Sequence, residues 1–305
     1  MNKKKKTKKS IEKKPVHEFT VKKNNQEKKI DSYSDYEWDI KLFYDSFLST
    51  KIDWEDYSSI IQKICKDYDD KLKSNISSRK KIWEKSTIKI ILYVQERIRA
   101  VDFLQNKQET NEFSNSLRGL STYLALTCFD KLGQPDNYKS FDSWLSVKKK
   151  RKKEKLDNEI NKISYKDKSE LILEAYKFYQ NIYGVKKSFF KFINEILPNT
   201  TKTELLDRIR IAEMKGISVQ KYKDDEAKKK YLYQIRNDYT HGLKFTGLEL
   251  GKNETEGIPN PKEKFILREK NLKNNEEIHY ETSIDFASFL KEVVIIGLIE
   301  YVKTK

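Results

Sequence analysis

Glycine and proline are scarce in this chain of 305 residues, which contains only nine of the first and five of the second. A protein made of short strands and many tight turns needs more of both residues. Their scarcity therefore argues against an all-β fold and favours long helices. Apolar residues are also few, at 37%, whereas charged residues reach 36%. This combination is typical of an ordinary core with charged tails or loops attached.

Cysteine and clustered metal ligands are scarce as well. The two cysteines, Cys65 and Cys128, match no metal-binding or redox spacing, so each is expected to be a small core residue. No group of His, Cys or carboxylate residues has the spacing of a metal site. We therefore expect no metal and no other cofactor.

A long uninterrupted apolar run is missing too. The most apolar stretch, residues 286–302, contains Lys291, Glu292 and Glu300, so it is predicted to be a buried helix and not a membrane span. The lysine-rich N-terminus is not followed by the apolar segment of a secretion signal. We expect a cytoplasmic protein with no membrane partner.

The net charge of +16 is concentrated in two segments. Residues 1–30 contain 12 lysines and three glutamates, and residues 148–155 contain seven basic residues and one glutamate. Such segments raise the affinity of a protein for phosphate backbones, which makes a DNA-binding accessory protein with a basic tail one hypothesis. A solvated lysine-rich tail without any nucleic-acid role explains the charge equally well.

Apolar periodicity predicts a mainly α fold with a small β-hairpin before the last helix. Four regions are expected: a disordered lysine-rich tail at 1–32, a helical region at 33–145, a basic linker at 146–167 and a second helical domain at 168–305. Within the first helical region, one long apolar face and its antiparallel return are predicted from Ile82, Ile88, Ile91, Leu92, Val94, Ile98, Val101, Leu104, Leu117, Leu120, Leu124, Leu126 and Phe129. The side chain of Trp144 is expected to pack onto this helix pair.

The second helical domain is predicted to contain several capped helices. A short helix should begin after Asn199 and end near Gly216, and another should run from the acids at 224–226 to Gly242. Residues 265–267 and 278–280 are predicted to form the hairpin, with His279 on the surface of its edge. The last helix should be capped near Thr282 or Ser283.

The chain has three histidines, and His241 stands five residues after Arg236 with Gly242 directly behind it. On an undisturbed helix, two such positions differ by about 140° in azimuth, so their side chains converge only if the helix ends or bends between them. Gly242 permits a helix end. A histidine can move a proton to or from a ribose hydroxyl, and an arginine can hold phosphate oxygens as charge develops. The pair therefore indicates phosphodiester chemistry.

The segment Arg236-Asn237-Asp238-Tyr239-Thr240-His241 resembles the Arg-polar-x-x-x-His signature of the HEPN superfamily of ribonucleases. The resemblance covers residues 168–305. It implies an antiparallel helical bundle, a homodimer with two motifs facing each other, and metal-independent cleavage of RNA that leaves a 2′,3′-cyclic phosphate. It further implies that Arg236 binds phosphate, Asn237 orients the site and His241 is the acid and base. A toxin or phage-defence role, with an antitoxin or defence-system partner, follows from the same resemblance.

Other interpretations of these residues stay open. Arg236 could pair with Asp238 or a nearby glutamate while His241 only caps the helix, in a non-catalytic module that binds RNA or protein. The segment 247–253 superficially resembles a phosphate-binding loop, but it has three residues between its glycines and Asn253 where a Ser or Thr belongs. Residues 33–145 are expected to supply either further bundle helices or a separate module.

Overall fold

The computed structural model describes residues 19–23, 26–30, 35–74, 82, 86–108, 114–136, 138–146, 158, 167–215, 218–242, 265–273, 276–283 and 285–305. Within these residues the fold is mainly α with two small antiparallel sheets, as the scarcity of glycine and proline indicates. The basic run 148–155 and the loop-like segment 247–253 lie outside the described residues.

The first half of the chain begins with a hairpin and continues with helices. The structure contains strands β1 (Phe19–Lys23) and β2 (Gln26–Ile30), then helices α1 (Asp35–Phe43), α2 (Trp54–Ser74), α3 (Thr87–Gln108), α4 (Ser114–Leu132) and α5 (Phe141–Leu145). A π-helical turn, Tyr44–Leu48, extends α1. The β1–β2 hairpin lies where the sequence analysis expected only a disordered tail.

Helices α3 and α4 form the predicted helical hairpin, because only five residues separate them and they pack against each other. The predicted apolar face of α3 is buried at the expected spacing, with its most enclosed side chains at Ile88, Ile91, Val94, Ile98 and Val101. Helix α4 ends next to Gly133. A side chain at Gly133 would overlap the backbone of Ser188, so the glycine allows the close approach of the next helices.

The second half combines helices with a four-stranded sheet. Its elements are α6 (Lys168–Tyr183), α7 (Val185–Lys191) with a π-helical turn (Phe192–Ile196), α8 (Asn199–Asp207), β3 (Ile209–Lys215), β4 (Ser218–Tyr222), α9 (Asp225–Gly242), β5 (Phe265–Lys273), β6 (Glu276–Ser283) and α10 (Phe286–Lys303). Helix α9 has the predicted bounds, and the carboxylate of Asp224 caps it by accepting a hydrogen bond from the Ala227 amide, 2.9 Å long.

The sheet corrects two predictions. The helix expected to continue to Gly216 ends at Asp207, and strand β3 follows, with Ile209 and Ile211 buried on alternate positions. The strand order is β4-β3-β6-β5, so the predicted hairpin of β5 and β6 is joined by a second hairpin of β3 and β4. Strand β6 is therefore internal, and His279, which lies opposite Ala212 of β3, is not on an edge.

One hydrophobic core joins the two predicted helical regions. Helix α10 packs against α2, α3 and α4 from the first region and against α8 and the Phe192–Ile196 turn from the second. Buried side chains from both regions belong to the same cluster. The described helices within residues 33–145 therefore share one core with those within residues 168–305.

A second, smaller cluster corrects the placement of Trp144. This side chain is buried against α6 and not against the α3–α4 pair, in contact with aromatic rings of α5 and α6. The cluster consists of Tyr138, Phe141, Trp144, Ala175, Phe178, Tyr179, Ile182 and Tyr183. It attaches α5 to α6 by aromatic packing.

Helix α10 begins at Phe286, shortly after the β-strand that contains Thr282 and Ser283. The predicted cap is therefore wrong, since both residues pair with other strands and Asp285 occupies the N-cap position. The Asp285 carboxylate accepts hydrogen bonds from Arg208 and not from the first amides of the helix. The prediction of a buried helix is confirmed. Among the described helices none has the length and apolarity to cross a membrane.

We expect Gly297→Ala to destabilise the fold, because a methyl group at this position of α10 would overlap the fully buried ring of Phe192. Overpacking of this kind costs about 1–3 kcal/mol, which exceeds the gain in helix propensity. Urea unfolding should show the lower free energy of unfolding of Gly297→Ala. Adding Phe192→Leu, which shortens the obstructing side chain, should recover part of the loss, and two additive losses would contradict the packing described.

Candidate functional site

The predicted motif occupies the last two turns of α9. This helix packs against α4, α7, α8 and β3, and its buried face holds Tyr231 and Leu232. Tyr231 stacks on Tyr280 of β6 with the ring centroids 4.7 Å apart. These contacts fix the helix axis, so the backbone positions of the motif are set by the core and the sheet together.

Arg236 forms an ion pair with Asp130 of α4, a partner outside its own helix. Its Nε donates to Oδ2 of Asp130 over 2.9 Å, and its Nη2 lies 2.7 Å from the same oxygen. The pair is largely enclosed, since the side chains of Arg236 and Asp130 are 16% and 10% exposed. A charge-assisted contact of this kind fixes the guanidinium plane.

The third nitrogen of the guanidinium points to the end of α9. Nη1 of Arg236 donates to Oδ1 of Asn237 over 3.2 Å and to the hydroxyl of Thr240 over 3.3 Å. The Thr240 hydroxyl in turn donates to the carbonyl oxygen of Arg236, 2.9 Å away. Asn237 thus contacts Arg236, and its orienting role stays a prediction.

Two tyrosines border this network. The rings of Tyr123 of α4 and Tyr239 of α9 pack with centroids 4.3 Å apart and planes tilted by 36°, and the Tyr123 hydroxyl lies 3.5 Å from the Thr240 hydroxyl. Burial, followed by the repulsion from Tyr123, raises the pKa of Tyr239. The Tyr239 hydroxyl is therefore neutral at physiological pH.

The burial of Asp130 disfavours its charged form. Burial raises its pKa to about 6, although Arg236 and Lys131 act in the opposite direction. Its second oxygen, Oδ1, is buried and accepts no hydrogen bond from the residues that the structure describes. The pKa of Asp130 is raised because its carboxylate is desolvated and incompletely paired.

The break in the helix that would bring Arg236 and His241 together does not occur. Helix α9 continues without interruption to Gly242, so backbone positions 236 and 241 differ by about 140° around its axis. The side chain of His241 lies outside the described residues. The structure thus joins Arg236 to Asn237 and Thr240, and leaves the relation of His241 to them as a prediction.

Sequence reasoning missed Asp130 and Tyr123, which come from α4, outside the region covered by the resemblance. One signal was present for Asp130, which is the only acidic residue between positions 119 and 132 in a largely apolar helix. A single carboxylate in such a segment predicts a buried partner of opposite charge. No comparable signal distinguishes Tyr123 among the 18 tyrosines of the chain.

We expect Asp130→Ala to lower the free energy of unfolding by about 2 kcal/mol, because it leaves Nε and Nη2 of the enclosed guanidinium without a hydrogen-bond acceptor. The double variant Asp130→Leu/Arg236→Met should be much less destabilised. As a control, Asp39→Ala removes the half-exposed pair of Asp39 with Arg99 and should cost less than about 1 kcal/mol. Denaturant titration at pH 7 measures all three, and equal losses for the two single variants would contradict the burial argument.

A pH dependence follows from the raised pKa of Asp130. Between its unfolded value of 3.8 and its folded value of about 6, the folded state binds more protons. The stability contributed by this carboxyl is present below about pH 4 and is lost as the pH rises through about 6. We therefore expect the stability of the wild type, relative to Asp130→Asn, to fall between these pH values. A relative stability that is constant or rises would contradict the assignment.

Known proteins give no independent guide to this arrangement. Comparison of the chain with protein-family models, with curated proteins and with solved structures found no match. Within the described residues, no group of three or more His, Cys, Asp or Glu side chains could hold a metal ion. The function of the site must therefore be argued from its own residues.

Proposed function

We propose that this protein is an endoribonuclease of the HEPN type that cleaves RNA without a metal ion, as a homodimer in the cytoplasm. The observation that carries the proposal is the position of the Arg236 guanidinium. Asp130 holds it on one side, while its Nη1 donates hydrogen bonds to Asn237 and Thr240 of the same motif. A fixed arginine near a histidine in sequence is the pair that phosphodiester cleavage needs.

In the proposed reaction, His241 takes the proton of a ribose 2′-hydroxyl or donates one to the leaving 5′-oxygen. Arg236 stabilises the charge that develops on the non-bridging phosphate oxygens. The 2′-oxygen forms a bond to phosphorus as the bond to the 5′-oxygen breaks, which gives a 2′,3′-cyclic phosphate and a free 5′-hydroxyl. The 2′-hydroxyl loses one proton and the leaving 5′-oxygen gains one, so the net reaction needs no further reactant.

The continuity of α9 supports a site shared between two chains. Because the helix does not break before His241, no helix end within one chain brings positions 236 and 241 to the same side. Two copies facing each other across a two-fold axis would let the arginine of one chain and the histidine of the other approach the same phosphate. The motif is one per chain, which fits such a composite site.

The remaining parts of the proposal concern partners and role. RNA is the proposed substrate, and an antitoxin or another defence-system protein is the proposed regulator, in a toxin or phage-defence function. The lysine-rich segments 1–30 and 148–155 would add affinity for RNA through counterion release.

A second candidate function is favoured by the same ion pair. Arg236 bridges α4 and α9 in an enclosed position, which is also what an architectural residue does. In that case the chain is a non-catalytic helical module that binds RNA or a partner protein. The two candidates differ in whether His241 is needed for any activity.

We expect the purified protein to cleave RNA in the presence of EDTA and to leave 2′,3′-cyclic phosphate ends. His241→Ala should abolish cleavage, and Arg236→Lys should reduce it by about 100-fold, because the lysine keeps a positive charge beside Asp130 but has no Nη1 to stabilise the phosphate. The measurement is cleavage of a labelled RNA, with circular dichroism to verify that each variant is folded.

His279→Ala is the matched control, because His279 lies in β6 of the same protein and takes no part in the proposed reaction. It should cleave like the wild type. Undiminished cleavage by His241→Ala would refute the nuclease proposal. Arg236 variants that lose thermal stability, in a protein that cleaves no RNA tested, would favour the architectural module.

A further inference from the structure

Asp130 limits the ways in which Arg236 can meet an anion. Its Oδ2 occupies both Nε and Nη2 of the guanidinium, at 2.9 and 2.7 Å. A negatively charged ligand is repelled from that side by the carboxylate. Nη1 is directed away from Asp130, and its contacts with Asn237 and with the exposed Thr240 are long, at 3.2 and 3.3 Å, so a phosphate oxygen can replace them.

Tyr123 stands at the same place, although it belongs to α4. Seven residues, close to two helical turns, separate it from Asp130, so both lie on the face of α4 that meets α9. On α9, Arg236, Tyr239 and Thr240 are three and four residues apart and also share a face. Packing against the ring of Tyr239 holds the ring of Tyr123 and leaves its hydroxyl 3.5 Å from that of Thr240.

We propose that Tyr123 is a further phosphate-binding residue, which contacts a phosphodiester of RNA together with Nη1 of Arg236 and the hydroxyl of Thr240. The inference rests on the proposed function in taking RNA as the ligand, and it adds a residue from the region that the resemblance does not cover. A tyrosine hydroxyl can donate a hydrogen bond to a phosphate oxygen without adding a charge to the site. Asp130 acts through Arg236 and is a positioning residue.

The experiment measures binding separately from cleavage. A fluorescent 2′-O-methyl RNA has no free 2′-hydroxyl to attack the phosphate, so its affinity at fixed salt reports binding alone. We expect Tyr123→Phe to weaken binding about tenfold, the usual effect of losing one hydrogen bond to a charged group, with unfolding unchanged. Tyr176→Phe is the control, since Tyr176 of α6 also stacks on a tyrosine, Tyr179, with the ring centroids 6.2 Å apart. It should bind like the wild type.

A second variant tests whether the two hydroxyls act on one phosphate. Thr240→Val keeps the shape of an exposed side chain and should also weaken binding, and the double variant with Tyr123→Phe should lose less than the product of the two single losses. Wild-type affinity in Tyr123→Phe, independent losses in the double variant, or a wild-type protein that does not bind the RNA would each overturn the assignment.

The same measurements separate this inference from the nuclease proposal. A protein that binds the 2′-O-methyl RNA through Tyr123 but cleaves no natural RNA refutes the nuclease and retains the binding residue. A protein that cleaves, with binding and cleavage both unaffected in Tyr123→Phe, retains the nuclease and removes Tyr123 from its site.

Discussion

Helix α10 is buried along almost its whole circumference, and this constraint organises the rest of the structure. Eleven of its 18 residues are buried, including the consecutive residues Val293, Val294 and Ile295. A helix that is apolar all round must be surrounded by other elements. Helices α2, α3, α4 and α8 surround it, so residues from both halves of the chain have to share one core. Helix α4 is thereby packed between α10 and α9.

The contact of α4 with α9 gives the motif its electrostatic environment. An enclosed arginine is costly unless it has a counter-charge, and Asp130 supplies one at 2.7 Å. The carboxylate in turn is poorly solvated, so its pKa rises. The pair therefore contributes less to stability than to orientation, because it holds the guanidinium with one nitrogen turned to Asn237 and Thr240. Orientation is what a phosphate-binding arginine requires.

Features that depend on neighbouring residues could be predicted from the sequence, whereas features that depend on distant residues could not. The helices α3, α4, α9 and α10 follow from apolar periodicity, since the same side of each helix faces the core over several turns. Strand β3 was missed because the preceding residues, 199–207, favour a helix and because its main partner, β6, is far along the chain. Trp144 was assigned to the wrong helix pair, since a buried aromatic side chain predicts a cluster but not its other members.

The sequence by itself determined the mainly α class, the ends of the motif helix, and the candidate residues Arg236, Asn237 and His241. These properties depend on residue spacing within single elements and on side-chain chemistry. Only the tertiary structure decided that Asp130, 106 residues before Arg236, is its partner and that Tyr123 borders the same site. The physical reason is that spacing along one helix fixes which side chains share a face, whereas the packing of the whole core around α10 fixes which faces meet.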